Sequence, residues 1–231
     1  MSIAENIAKL RTEINRAAEL SGRSGADISL VAATKTQDAD TVRAAIAAGV
    51  DACGENRVQE LTQKRAVGAY EGAPLHFIGH LQTNKVRKVV GVADLIQSVD
   101  SLPLLQTINR VAEELGIMQD VLIQVNIGAD ENKFGLDEAG LYHFLDGAII
   151  CNHIRVRGLM TMLPLEAGSV ETRELFARMY QVFVDIRKKK PYDNIDMEFL
   201  SMGMSGDFFD AILEGANMIR VGSTIFGNRY R

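Results

Sequence analysis

Eight short apolar segments, separated by stretches of helical periodicity, constrain the fold of this chain more than any other feature. The first segment occupies residues 28–34 (ISLVAAT), and the others are ACGE, LHFIG, DLIQSV, VLIQVNI, IRVRGLM, MEFLS and MIRVG. Strands that alternate with helices form right-handed βαβ units and a parallel sheet, and eight such units can close into a barrel. We therefore predict an α/β fold with one (β/α)8 TIM-type barrel. A doubly wound open sheet is the main alternative.

An amphipathic helix is predicted before the first apolar segment. Ile3, Ile7, Leu10 and Ile14 recur at helical spacing, and Gly22 follows as a C-terminal stop signal. Little of the chain remains after the eighth segment, so this extra N-terminal helix is expected to cover the barrel flank that lacks a final helix. The length suits one barrel and no Pro-, Gly- or Ser-rich linker interrupts the chain, so residues 1–231 are expected to form a single domain.

The composition argues against several classes of protein. A net charge of -5 and an isoelectric point near 5.5 are unlike those of nucleic-acid or membrane-surface binders, which concentrate positive charge on one face. Cys53 and Cys151 form no CxxC pair, and His76, His143 and His153 lack metal-ligand spacing, so neither a disulfide framework nor a metal is expected. Without a membrane-spanning run or an apolar signal peptide, the chain is expected to be cytoplasmic, with small-molecule partners.

Lys35 directly follows the first apolar segment. In a (β/α)8 barrel the carboxyl ends of the strands and the loops after them build the active face, so Lys35 is expected at the mouth. A lysine at a strand end is often only a surface charge whose stem lies along apolar side chains. Burial or nearby positive charge, however, lowers the pKa of a lysine and frees its amine to form a Schiff base with an aldehyde.

Two segments near the C-terminal end are rich in Gly, Ser and Thr: LSMGMSGD at residues 200–207 and IRVGSTIFG at residues 219–227. Their glycines allow the backbone to approach a ligand, and Ser201 and Ser205 supply hydroxyls beside a helix predicted over residues 208–213. Barrel phosphate sites lie in the loops after strands seven and eight, where these segments fall. The alternative is two ordinary turns with a helix cap. A phosphate cradle together with a strand-end lysine suggests pyridoxal phosphate.

Arg220 lies two residues before Gly222 in the eighth segment, so both are expected on one side of the strand. Ile219 and Val221 face the other side and should meet the helices, which would point Arg220 into the barrel. An always-charged guanidinium there needs acceptors or an anion nearby. A cofactor ring nitrogen could serve, and so could an interior carboxylate.

Polar residues also follow the second and third apolar segments. Asn56 could contact a ligand at the mouth or cap a helix. His80 could titrate near neutrality or simply form hydrogen bonds within the rim.

Seven sequence blocks match one known family in order and spacing. They are VAATKTQ, GENRVQE, HFIGHLQTNK, VLIQVNIGADENKFG, RGLMTM, LSMGMSGDF and IRVGSTIFG. Through them the chain resembles the pyridoxal phosphate homeostasis protein family over nearly its whole length. That family is in turn similar to the N-terminal barrel domain of bacterial alanine racemase. Ala33 and Thr34 stand where the family often has Val-Ser, and Thr34 keeps the hydroxyl.

The resemblance implies that Lys35 binds pyridoxal phosphate as an internal aldimine. It also implies that Arg220 faces the pyridine nitrogen, that the phosphate is surrounded by Ser201, Gly222, Ser223 and Thr224, and that Asn56 and Met202 lie near the ring. An arginine cannot readily lend a proton to the pyridine nitrogen, so the ring would be a weaker electron sink.

The function implied by the resemblance is pyridoxal phosphate binding in intracellular homeostasis of the cofactor, without catalysis. Alanine racemase has a second domain, for which this chain has no room, and a catalytic tyrosine from its dimer partner. No motif assigns such a role to any tyrosine of this chain, namely Tyr70, Tyr142, Tyr180, Tyr192 and Tyr230. We expect a monomer with an open mouth that exchanges cofactor, with pyridoxal phosphate-dependent apoenzymes as recipients.

Two alternatives keep Lys35 as the reactive residue. The first is a pyridoxal phosphate-dependent amino-acid racemase in which water or His80 serves the opposite face of the substrate. The second is a sugar-phosphate barrel in which Lys35 forms a Schiff base with the substrate itself.

Overall fold

All eight apolar segments form β-strands in a computed structural model of the chain, which describes residues 1–164, 168–189 and 192–227. The strands are β1 (Ser29–Ala33), β2 (Ala52–Glu55), β3 (Leu75–Phe77), β4 (Leu95–Val99), β5 (Gln119–Val125), β6 (Ile154–Thr161), β7 (Ile195–Ser201) and β8 (Met218–Val221). Each strand pairs in parallel with the next, and β8 pairs with β1, so the sheet closes. The predicted (β/α)8 barrel is confirmed, and the open-sheet alternative is wrong.

Helices connect most of the strands. They are α1 (Ile3–Leu20), α2 (Ala39–Ala47), α3 (Val58–Ala66), α4 (Leu102–Leu115), α5 (Glu138–Ala148), α6 (Ser169–Lys189), α7 (Phe208–Leu213) and α8 (Ser223–Phe226). A 3₁₀ segment, Thr83–Lys88, stands between β3 and β4 where the alternation predicts an α-helix. Only Val86 of that segment is buried, so it lacks the apolar stripe with which an α-helix would pack. In the described part of the chain, no helix combines the length and apolar character that crossing a bilayer requires.

Strand residues alternate between two separate cores. The inner core fills the barrel and contains Val31, Ala52, Leu95, Leu122, Met160 and Met218. The outer core lies between the strands and the helices and includes Leu30, Ala32, Ile219 and Val221. Because Ile219 and Val221 belong to the outer core, the residue between them, Arg220, points into the barrel as the alternation predicts.

The N-terminal helix α1 covers a flank of the barrel. Its start is fixed by a capping box, in which the Ser2 hydroxyl accepts from the Glu5 amide and the Glu5 carboxylate accepts from the Ser2 amide. Its buried side chains include Ile7 and Ile14, and the helix packs against α7, α8 and α2. Because α8 is a single turn, α1 covers the flank that a longer final helix would otherwise cover, as expected from the sequence.

Candidate functional site

The closure of the barrel pairs the first strand with the last, so the residues after both strands lie at one mouth. In the β1–β8 pair Ala32 lies beside Val221, so the residues that follow these strands are also neighbours. A Cβ placed on Gly222 would lie 3.4 Å from the Cβ of Ala33, in ordinary van der Waals contact. Lys35 is exposed in the loop after β1, two residues beyond Ala33. The lysine and the glycine-rich C-terminal loop therefore share one rim.

The loops after β7 and β8 converge as the sequence predicts. The Ser205 hydroxyl oxygen accepts hydrogen bonds from the amides of Gly222 and Thr224, at 3.3 and 3.5 Å. The side chains of Ser223 and Thr224 are exposed at this junction. The amides of Gly222 and Thr224 therefore already point at one oxygen, and the hydroxyls of Ser223 and Thr224 lie beside them. We call these three residues the donor cradle, because such a set of donors suits a phosphate oxygen.

Glycine is required at position 203, between β7 and α7. Its φ is +94°, in the left-handed region, and a Cβ there would lie 2.6 Å from the Cβ of Ala211. A side chain at this position would therefore be strained and would collide with α7. Gly206, in the same loop, has open space around its Cα and no positive φ. The two glycines consequently have different structural roles.

Arg220 is almost completely buried inside the barrel, with 4% of its surface exposed. Its guanidinium donates to the Ser201 hydroxyl at 2.5 Å and to the Thr161 carbonyl at 2.7 Å, and both acceptors are uncharged. Burial lowers the pKa of Arg220 to about 10, and the negative charge of Asp207 opposes that shift. Burial also raises the pKa of Asp207, although the hydrogen bond from the Met204 amide and the charge of Arg220 both act to lower it.

A chain of hydrogen bonds continues from Arg220 across the barrel interior. The Ser201 hydroxyl donates to the Gln97 side-chain oxygen at 2.7 Å, and the Gln97 nitrogen lies 2.9 Å from His76 Nδ1. Burial lowers the pKa of His76 to about 4, so its neutral ring can accept the Gln97 hydrogen. The Ser201 hydroxyl, which was expected at the phosphate, is thus engaged beneath Arg220 in this chain of hydrogen bonds.

The two residues expected near the cofactor ring occupy different environments. Asn56 does not cap α3, whose N-cap is Arg57 without a side-chain cap bond. The Asn56 side-chain oxygen is buried and has no hydrogen-bond partner within the described residues. Met202 is fully buried in the outer core, because it alternates with the inward-facing Ser201. Of these two residues, Asn56 is therefore the one whose side chain offers an unused polar atom.

His80 belongs to a cluster on the rim. Its ring stacks on Phe134 with centroids 3.7 Å apart and an interplanar angle of 11°. Its Nδ1 lies 3.3 Å from a carboxylate oxygen of Asp100. His80 therefore joins the loops after β3, β4 and β5 at the mouth.

Several residues of the mouth and interior were not predicted from the sequence. Gln97 lies within β4 and Thr161 ends β6, and nothing local to either strand indicates that Gln97 contacts β7 or that Thr161 contacts Arg220. The alternation of inward and outward positions could have suggested that Gln97 points into the barrel, whereas Arg220 contacts the backbone carbonyl of Thr161, which no side-chain pattern indicates. Taken together, an amine at the mouth, a cradle of amide and hydroxyl donors and a buried guanidinium fit a phosphorylated aldehyde.

Comparison with known proteins gives full-length matches. The family model "Alanine racemase, N-terminal domain" matches residues 3–230. The pyridoxal phosphate homeostasis protein of Aquifex aeolicus is 34% identical over 229 residues, 99% of each chain. That of Escherichia coli strain K12 is 36% identical over 233 residues, 98% of this chain and 97% of its own.

Solved structures agree with these sequence matches. PipY of Synechococcus elongatus, with pyridoxal phosphate bound, is 36% identical, with a TM-score of 0.86 over 98% of this chain and 100% of PipY. An alanine racemase of Clostridium difficile, 19% identical, shares the fold, with a TM-score of 0.69 over 96% of this chain and 57% of its own. By sequence and by structure, the chain belongs to the pyridoxal phosphate homeostasis protein family.

Proposed function

We propose that the protein binds pyridoxal phosphate, holds it as an internal aldimine on Lys35 and takes part in homeostasis of the cofactor in the cytoplasm. The observation that carries this proposal is the shared rim, where Gly222 of the donor cradle follows β8 beside Ala33, two residues before Lys35. The bound cofactor in PipY supports it. Cys53 and Cys151 are both free and buried, which is compatible with a reducing compartment.

Each site residue has a role in this proposal. Lys35 supplies the amine, and the phosphate is held by Gly222, Ser223 and Thr224. Arg220 faces the pyridine nitrogen and is oriented by Ser201. Asn56 offers its unused oxygen near the ring, and Met202, whose side chain packs in the outer core, lies near the ring. Bound pyridoxal phosphate supplies an electron sink, which an always-charged arginine at the ring nitrogen weakens.

We propose further that the protein holds the cofactor rather than transforms an amino acid. The Tyr70 hydroxyl donates to Glu55, a buried side chain on the helix side of β2. Tyr142 and Tyr180 lie on the outer helices α5 and α6, and Tyr192 lies in the turn before β7, away from the mouth. Tyr230 is outside the described residues. A monomer with an open mouth could then exchange cofactor with apoenzymes.

Lys35→Ala tests where the cofactor is held. The purified wild-type protein, loaded with pyridoxal phosphate, should show the visible band of a protein-bound imine, and borohydride reduction should leave the cofactor mass on the peptide that contains Lys35. Lys35→Ala should lose both signals, whereas Lys88→Ala, which removes another exposed lysine, should keep them. A persistent band in Lys35→Ala would place the cofactor on a different amine.

Hydrogen exchange at the α-carbon of L- and D-alanine in heavy water tests the absence of turnover. Cofactor-loaded protein should exchange no faster than free pyridoxal phosphate at the same concentration. Rapid exchange that depends on Lys35 would instead make the protein an enzyme of the racemase type.

A further inference from the structure

A buried ionic cluster lies on the helix side of β2, next to the residues that flank Lys35 in the chain. We call Glu55, Glu60, Lys64 and Tyr70 the clamp cluster. The Lys64 ammonium lies 2.6 Å from Glu55 and 3.4 Å from Glu60, and the Tyr70 hydroxyl donates to Glu55 at 3.1 Å. Glu55 is completely buried and Lys64 is 8% exposed. Burying such charges carries a desolvation cost that well-packed apolar side chains would avoid, so stability alone does not explain the cluster.

The clamp cluster holds both chain neighbours of Lys35. The Thr34 hydroxyl donates to Glu55 at 2.6 Å, and the Lys64 ammonium donates to the Thr34 carbonyl at 2.7 Å. On the other side, the Thr36 amide donates to Glu60 at 2.6 Å. The backbone before and after Lys35 is therefore bonded to the same ionic cluster.

The hydrogen bond from the Thr36 amide to Glu60 is made by a residue with an unfavourable backbone conformation. Thr36 has a φ of +66°, in the left-handed region, which a β-branched residue rarely adopts. Such conformations persist where surrounding contacts impose them, and they are concentrated at functional sites. The short bond from the Thr36 amide to the Glu60 carboxylate is one of the contacts that hold this turn directly after Lys35, together with the bond from the Gln37 amide to the Thr34 carbonyl at 3.0 Å.

We propose that the clamp cluster positions Lys35 by fixing the direction in which its side chain leaves the end of β1. The inference rests on the proposed function, because position matters only if the lysine amine must meet a cofactor aldehyde. Rates and affinities of covalent binding depend on such preorganised geometry. Glu60 and Lys64 act here as positioning residues because they contact the backbone beside Lys35, and Glu55 acts through the Thr34 hydroxyl and through Lys64.

Substitution of Glu60 tests the proposal, because this residue is partly exposed and its loss leaves the buried Glu55–Lys64 pair intact. Glu60→Ala removes the acceptor of the Thr36 amide. Glu60→Gln keeps a side-chain oxygen and should restore part of the effect. Arg65→Ala, an exposed change on the same helix, is the matched control.

Two readouts are needed. In cofactor-free protein, hydrogen exchange of the Thr36 amide should be about tenfold faster in Glu60→Ala, as expected for loss of a charge-assisted hydrogen bond. In cofactor-loaded protein, the dissociation constant for pyridoxal phosphate should rise about tenfold, and the visible circular-dichroism band of the bound cofactor should weaken. Glu60→Gln should lie between Glu60→Ala and the wild type, and Arg65→Ala should match the wild type.

The outcomes separate the two proposals. If Glu60→Ala exposes the Thr36 amide but binds the cofactor like the wild type, the positioning role is overturned while the proposed function stands. Unchanged Thr36 exchange also overturns it. If the wild-type protein fails to place the cofactor on Lys35, the proposed function falls, and the positioning role falls with it.

Discussion

Arg220 carries a permanent charge in a place where charge is costly. It is buried in the barrel, and its two hydrogen bonds go to a hydroxyl and a carbonyl rather than to a carboxylate. A buried guanidinium of this kind is stabilised by ordered acceptors and has its charge available for a further acceptor. The pyridine nitrogen expected from the family resemblance would be such an acceptor.

Arg220→Lys is expected to destabilise the protein although it keeps the charge. A lysine cannot reproduce the fork that reaches both the Ser201 hydroxyl and the Thr161 carbonyl, so one buried acceptor would be left unpaired, at a cost of about 1–3 kcal/mol. The free energy of unfolding, measured with urea, checks this expectation. Arg65→Lys, an exposed control, should change it by less than about 0.5 kcal/mol. Equal stability of Arg220→Lys and the wild type would contradict the fork geometry.

Residues of the site were predictable from the sequence where local order determines their position. Lys35 follows the first strand, and Gly222 and Thr224 follow the last strand. Because the residues after all the parallel strands lie at one end of a barrel, the barrel places them on the same face. The clamp cluster was not predictable in this way. Glu55 closes an apolar strand and Lys64 lies within a helix, and neither has a local pattern that indicates a bond to the neighbours of Lys35.

At the scale of elements, the connection between β7 and α7 depends on a single glycine. Gly203→Ala should lower the free energy of unfolding by about 1–3 kcal/mol, because the new Cβ would meet Ala211 and the left-handed φ would be strained. It should also weaken pyridoxal phosphate binding, since Ser205 in the same loop contacts the donor cradle. Urea unfolding and cofactor titration measure the two effects.

Gly206→Ala is the matched control for that loop. Its Cα faces open space and has no positive φ, so this substitution should leave both stability and binding close to those of the wild type. If Gly203→Ala and Gly206→Ala behaved alike, the constrained turn at Gly203 would not be what shapes the cradle.

The strands were easier to predict than their connections. Buried parallel strands are continuous apolar runs, which the sequence displays directly. The connection Thr83–Lys88 was harder, because its 3₁₀ form follows from having a single buried side chain, Val86, and burial is known only once the fold is assembled. The packing of α1 on the barrel could be anticipated because its apolar stripe is visible in the sequence.

At the scale of the whole molecule, apolar and polar side chains share the barrel interior. Val31, Leu122 and Met160 belong to the inner core. In the same interior, hydrogen bonds connect His76 through Gln97 and Ser201 to Arg220. A buried histidine is therefore linked to the guanidinium of the site through two side chains.

The stability of the protein is expected to fall in mild acid because of His76. Burial lowers its pKa to about 4 in the folded protein, and the nearby Asp94 only partly opposes that shift. An unfolded histidine has a pKa near 6.5, so between about pH 6.5 and pH 4 the unfolded chain binds more protons than the folded protein. As the pH falls through this window, the free energy of unfolding should therefore decrease, by about 3 kcal/mol in total from this residue.

Urea unfolding of His76→Gln between pH 4 and pH 7 isolates this contribution. Glutamine retains an acceptor for Gln97 and does not titrate, so its stability should decline less steeply with acid than that of the wild type. His143→Gln, at an exposed position, should leave the wild-type slope unchanged. Parallel curves for the wild type and His76→Gln would show that the histidine is not held neutral. A steeper wild-type curve would mean that protonation places a second positive charge in the interior that already contains Arg220, and that the folded barrel resists it.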